Sequence, residues 1–271
     1  MTGHAPDRGL GNSRRAGPTA SRETHRPATE PSPRPDPAAV RAALATVRDP
    51  ELDEPVTDLG FVAEIRVEGG EVSIRLRLPT YFCAPNFAYL MVADAYDVVS
   101  ALPGVERVAV RLEDHFAASE INAGVAAGQG FAAAFPALAD GELAQVRRVF
   151  LRKAFLAATE RVCAGVLRDG LSPDALAGLR LGDVPPSPDL DRLRRRRAEL
   201  GLPDDPDARL LVDTDGRPLH RDEAAAHLRF ARVTRVGVDA NTALCRTLIT
   251  TRYAPPGPRT GRTTRQVGGP A

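Results

Sequence analysis

Cys83 lies between an apolar strand and a helix opened by Pro85, in the stretch PTYFCAPNFAYLMVADAY at 79–96. At a helix start, unpaired backbone N–H groups and the positive end of the dipole favour a thiolate over a thiol. A thiolate there can ligate iron or attack a persulfide; the alternative is a small buried cysteine at a turn. Thr80, three residues earlier, can hydrogen-bond the loop or the sulfur. Asp49, Glu51 and Asp58 can form an acidic rim for a hard metal or a partner, although Asp49 beside Pro50 and Asp58 near Gly60 equally suit turn capping.

Other residues offer weaker chemistry. Cys163 and Cys245 fall inside expected helices among apolar neighbours. With Cys83 they could complete a three-thiolate iron site, but no CxxC or His-x-His spacing supports one. Core packing is the simpler reading for both. Asp114, His115 and Glu120 make a loose metal-like cluster where a strand meets a loop. Arg192, Arg194, Arg195, Arg196 and Arg197 could bind phosphate or RNA, yet Asp204, Asp205 and Asp207 follow, which suits a solvated helix face. Gly124, Gly128 and Gly130 form no phosphate loop, because the Lys-Ser/Thr element is missing. The absence of a nucleophile-elbow pattern argues against an independent hydrolase.

The elements that must position Cys83 are legible as periods. PAAVRAALATVRDPEL carries Val40, Leu44 and Val47 at helical spacing from Pro37 and ends before Pro50. FVAEIRV alternates, with Phe61, Ala63, Ile65 and Val67 on one face, and VSIRLRL alternates with Val72, Ile74, Leu76 and Leu78 inward. Gly69-Gly70 between them suits a two-residue hairpin turn. Helical spacing returns from Asn86 to Leu102, Pro103-Gly104 stops it, and VERVAVRL reads as a third strand. The expected fold is α+β: a small helix-strand-strand-helix-strand layer followed by a mostly α-helical region.

Beyond this layer, residues 115–136 are rich in Gly and Ala and read as a long, partner-dependent loop with short helical pieces. GELAQVRRVFLRKAFLAATERVCAGVLRDG is a long helix, SPDALAGL another with a Ser172 cap, and LLVDTDGRPL a hairpin around Asp215-Gly216. RDEAAAHLRFARV and DANTALCRTLITTRY are the last two helices. The expected organisation is a Pro/Arg-rich disordered tail at 1–36, an α+β domain at 38–114, the loop at 115–136, a helical domain at 137–254 and a tail at 255–271.

Composition narrows the function. In 271 residues, Lys+Arg 36 against Asp+Glu 35 leaves a net charge of +1, which argues against a dedicated nucleic-acid binder. Aromatics are 5% and Trp is absent, so base-stacking platforms are not expected. The start lacks a secretory apolar run and no stretch is long enough to span a membrane, so a cytoplasmic protein with no membrane partner is expected. Three cysteines are too few for a disulfide framework.

The segment from Arg48 to Leu112 resembles the SufT/PaaD-like family of metal-sulfur cluster assembly domains. The resemblance rests on Asp49-Pro50-Glu51, Asp58-Leu59-Gly60, the hairpin, Thr80-x-x-Cys83 and Pro103-Gly104-Val105, in that order. The family commonly has Gly before the cysteine and Pro after it; here these are Phe82 and Ala84, with the proline displaced to Pro85. The resemblance implies a non-enzymatic accessory factor in iron–sulfur cluster assembly or iron-enzyme maturation, with Cys83 as its functional residue. It implies iron or an Fe–S cluster bound transiently, no organic cofactor, and a client metalloenzyme or the assembly machinery as partner, with a homo-oligomer also open. Long versions with a helical extension resemble factors for multicomponent di-iron monooxygenases. The alternative is a metal-free adaptor or chaperone for a monooxygenase subunit.

Overall fold

A computed structural model of the chain describes residues 35–128, 130–135 and 142–254. Both expected tails lie outside or almost outside these residues, as do 136–141 of the loop-to-helix passage.

Helix α1 (Pro37–Leu44) starts where Asp36 accepts the Ala39 N–H at 2.7 Å, with Pro37 in the first turn where its missing N–H costs nothing. Strands β1 (Val62–Glu68) and β2 (Glu71–Arg77) form the hairpin, and Gly69 takes the left-handed φ of 62° that the turn demands. Helix α2 (Pro85–Ser100) then crosses over to β3 (Arg107–Glu113), which pairs with β2 in parallel. The sheet order is β1-β2-β3, and the fold is α+β with a helical C-terminal region.

The alternation expected in β2 is found, with Val72, Ile74, Leu76 and Leu78 all buried. That of β1 is broken: the register shifts between Val62 and Glu64, a β-bulge that leaves Ala63 exposed and turns Val62, Ile65 and Val67 toward the core. Where a loop is expected at 115–136, the described residues hold two helical pieces. Helix α3 (Ala118–Ala126) buries Ile121 and Val125 in the sheet's core, and a single turn α4 (Phe131–Ala134) follows.

The rest is built on α5 (Glu142–Arg168), α6 (Pro188–Leu200) and α7 (Arg221–Arg252). Residues 173–178 form a 3-10 turn rather than the expected helix, and Ser172 makes no side-chain cap there. The turn at Asp215-Gly216 is present, with Asp213 N–H donating to the Arg217 carbonyl. The two helices expected at the end are one, because Gly237 does not interrupt the backbone ladder. A second core forms around Phe155, Cys163, Leu181 and Leu211. Helix α7 enters both cores, with Ala224 and Ala231 in the second and Ile249 in the first.

The arginine run is only partly a solvated face: Arg195 is exposed, but Arg196 and Arg197 are buried. Arg196 is buried and pairs with Asp53 at 2.6 Å and with Glu199; Arg192 reaches Glu54 at 3.4 Å. Arg197 is 0% exposed and donates to the carbonyls of Pro203, Arg209 and Leu210 at 3.1, 2.9 and 2.6 Å. A buried guanidinium persists only where such acceptors replace its water. Burial still pushes its pKa down to about 10.

Candidate functional site

The loop carrying Cys83 (79–84) joins β2 to α2 and is held from two sides. His115 Nε2 meets the Cys83 carbonyl at 2.8 Å while its Nδ1 accepts the Ala117 N–H at 3.2 Å, so the ring is satisfied as the Nε2–H tautomer. Phe116 N–H donates to the Tyr81 carbonyl at 3.0 Å. From the other side, Arg252 of α7 donates to the carbonyls of Leu78 at 3.2 Å and Asp114 at 2.8 Å. His115 is therefore a buried brace of the cysteine loop, placed by its ring nitrogens against backbone rather than toward a metal.

Cys83 is partly buried, and its Sγ lies 3.2 Å from Thr80 Oγ1. The threonine at this spacing thus meets the sulfur itself. Ala84 is the N-cap of α2 and Pro85 its first residue, which sets Cys83 one position before the cap. Around the sulfur, Tyr81, Phe82 and Phe116 are exposed, Phe82 at 76%. They form an apolar rim that composition alone did not single out.

The acidic residues separate. Asp49 is buried; its Oδ1 accepts the N–H groups of Glu51 and Leu52 at 2.9 Å each, closing the turn around Pro50. Burial pushes its carboxyl up to about 6, against the lowering by these two hydrogen bonds. Glu51 is half-buried and accepts from Asn241 Nδ2 of α7 at 3.2 Å. Asp58 is exposed and accepts from Thr57 Oγ1 at 3.0 Å, with no contact to the cysteine loop among its hydrogen bonds.

The remaining thiols also part company. Cys163 is 1% exposed in the second core, where burial pushes it up to about 12. Cys245 instead packs, partly buried, against the first core on the same α7 face as Asn241 and Ile249. Burial pushes its thiol up to about 11, and the charges of Asp49, Cys83 and Glu51 add to that. Those three groups therefore stand close enough to act on it. Asn241, Cys245, Ile249 and Arg252 follow one another at helical spacing, so one stripe of α7 runs over the Asp49 turn and the Cys83 loop. That stripe is the part of the site sequence reasoning missed. Its signal is present as four successive same-face positions, but nothing local says what they face.

Among the described residues, no three His, Cys, Asp or Glu side chains converge to hold a metal ion. Cys83 has Thr80 as its hydrogen-bonding neighbour, and Cys245 packs against the same core.

A family described as "Iron-sulfur cluster assembly protein" matches residues 37–111, which run from α1 into β3 and include Asp49, Thr80 and Cys83. An uncharacterized protein of Methanocaldococcus jannaschii is 32% identical over 81 residues, 30% of this chain and 83% of that protein. The chain belongs to the iron-sulfur cluster assembly family. An "Iron-sulfur cluster carrier protein" of Synechocystis sp. is 36% identical over 74 residues, 27% of this chain. The chain spans only 20% of the length of that carrier. The family region ends before α3, so α5, α6 and α7, with Asn241, Cys245 and Arg252, are additions to the family domain.

Proposed function

We propose that this chain is a non-catalytic accessory factor that holds iron or an iron–sulfur cluster at Cys83 and passes it to a client enzyme. The observation that supports this reading is that two thiols from distant parts of the chain pack against one core. Cys83 comes from the matched region, and Cys245, on a helix outside that region, packs against the same core within electrostatic reach of it. A cluster commonly takes four cysteine ligands, so two thiols grip one side of the cargo and leave the other for the acceptor. Ligation needs thiolates, and the raised pKa of Cys245 means that loading releases protons and strengthens as pH rises toward about 11. The exposed Tyr81, Phe82 and Phe116 rim supplies apolar area against which a client can exclude water from the transfer. The helical extension accords with a multicomponent di-iron monooxygenase as client.

Anaerobic reconstitution with iron and sulfide tests the reading. The wild type is expected to develop thiolate-to-iron absorption that Cys83→Ala abolishes and Cys245→Ala weakens. The exposed rim favours a second reading, a metal-free adaptor for a monooxygenase subunit. If wild type and Cys83→Ala both stay colourless yet both restore client activity, the adaptor reading holds and cluster transfer is wrong.

A further inference from the structure

Helix α7 carries a second stripe, away from its buried Ala231, Val238 and Ile249, that no described residue covers. Phe230, Val233 and Leu244 are 63%, 71% and 57% exposed. Gly237, Ala240 and Thr247 are exposed between and beyond them. These six residues are spaced alternately by three and four, the a and d positions of successive heptads over about 26 Å of helix. Such a sequence of apolar and small side chains in water is the pattern of a helix seam without its partner.

Gly237 adds an independent sign. A glycine inside a helix costs about 0.5–1 kcal/mol relative to alanine, so it needs a reason. A Cβ built there would meet nothing within 4 Å, so no described part of this chain supplies that reason. A backbone approaching from outside would.

We infer that the α7 stripe pairs antiparallel with the same stripe of a second copy of this chain. The self-complementarity of the stripe identifies the occupant. Antiparallel helices set the a positions of one copy against the d positions of the other. About a two-fold axis between Val238 and Asp239, Val233 then meets Leu244 and Gly237 meets Ala240, while Phe230 closes each end over Thr247. In the central layers large residues meet large and small meet small, and the glycine–alanine layer lets the backbones come close. The charge pattern agrees. From Val233 to Leu248 no a, d, e or g position carries a charge, so a second copy meets no like-charge repulsion, while Arg232, Asp239 and Arg246 lie outside the seam. An isologous pair of this kind closes on itself as a dimer.

Sedimentation velocity of the full chain across a concentration series tests the pairing. The 28.9 kDa species is expected to give way to one of twice that mass as concentration rises. Val233→Lys and Leu244→Glu should each weaken the dimer on the order of a hundredfold, because each buries two unpaired charges in the seam. Combined in one chain they should restore it, since the two-fold sets each introduced lysine against an introduced glutamate. Both positions are exposed in the single chain, so far-UV circular dichroism of each variant should match wild type. A chain that stays monomeric at every concentration overturns the pairing. So does a dimer indifferent to either single substitution, or a double variant no better than the singles.

Discussion

Replacing Asp49 by Asn should stabilise the protein at neutral pH, although it removes a carboxylate beside the candidate site. The carboxyl titrates near 3.8 when unfolded and near 6 when folded, because burial outweighs the two N–H groups that support its charge. Between those values the folded state keeps a proton that the unfolded chain has released. Stability contributed by this group is therefore present below about pH 4, falls as pH rises to about 6 and is level above that. The gap corresponds to about 3 kcal/mol at neutral pH. Asparagine keeps an oxygen for the Glu51 and Leu52 N–H groups and carries no charge to bury. Urea denaturation at pH 7.5 should show Asp49→Asn more stable by about 1–3 kcal/mol, with the difference from wild type shrinking to near zero by pH 4. Removing one of the negative neighbours of Cys245 should also quicken alkylation of that thiol. Wild-type and variant stabilities that run parallel from pH 4 to 7.5, or a variant less stable at pH 7.5, would show that burying the Asp49 charge carries no cost.

Two further outcomes test other parts of the account. Arg197→Met should cost about 3 kcal/mol in urea denaturation, because the carbonyls of Pro203, Arg209 and Leu210 lose a shared charged donor; a loss under about 1 kcal/mol would show that the buried arginine is dispensable. At pH 8, iodoacetamide should modify Cys245 about a hundredfold more slowly than a thiol at the ordinary value of 9 and Cys163 more slowly still, and peptide mass spectrometry showing either at the ordinary rate would contradict the burial assigned to it.

The family domain was readable because its order is local. Helical spacing in α1 and α2, alternation in β2 and the glycine turn each lie within a few residues, and each is found. The β1 alternation failed at one place because a bulge inserts a single residue, a change no period announces. Arg196 and Arg197 were misread for a related reason. Charge favours solvent unless distant groups replace it, and their partners Asp53 and the Leu210 carbonyl belong to other segments. At the site, Cys83 and Thr80 are three residues apart and could be paired from sequence. Asn241 and Glu51 are separated by 190 residues, so only the folded chain reveals that they meet.

That separation also sets an order in time. The Cys83 loop is translated long before the helix that covers it, since Arg252 reaches back 174 residues to Leu78. At about 5–20 residues per second, synthesis leaves the family domain without that helix for on the order of ten seconds or more. During that interval the loop lacks the Arg252 brace and the helix that carries Cys245. What α7 adds to the cysteine loop is thus absent from the nascent chain until that helix has been made.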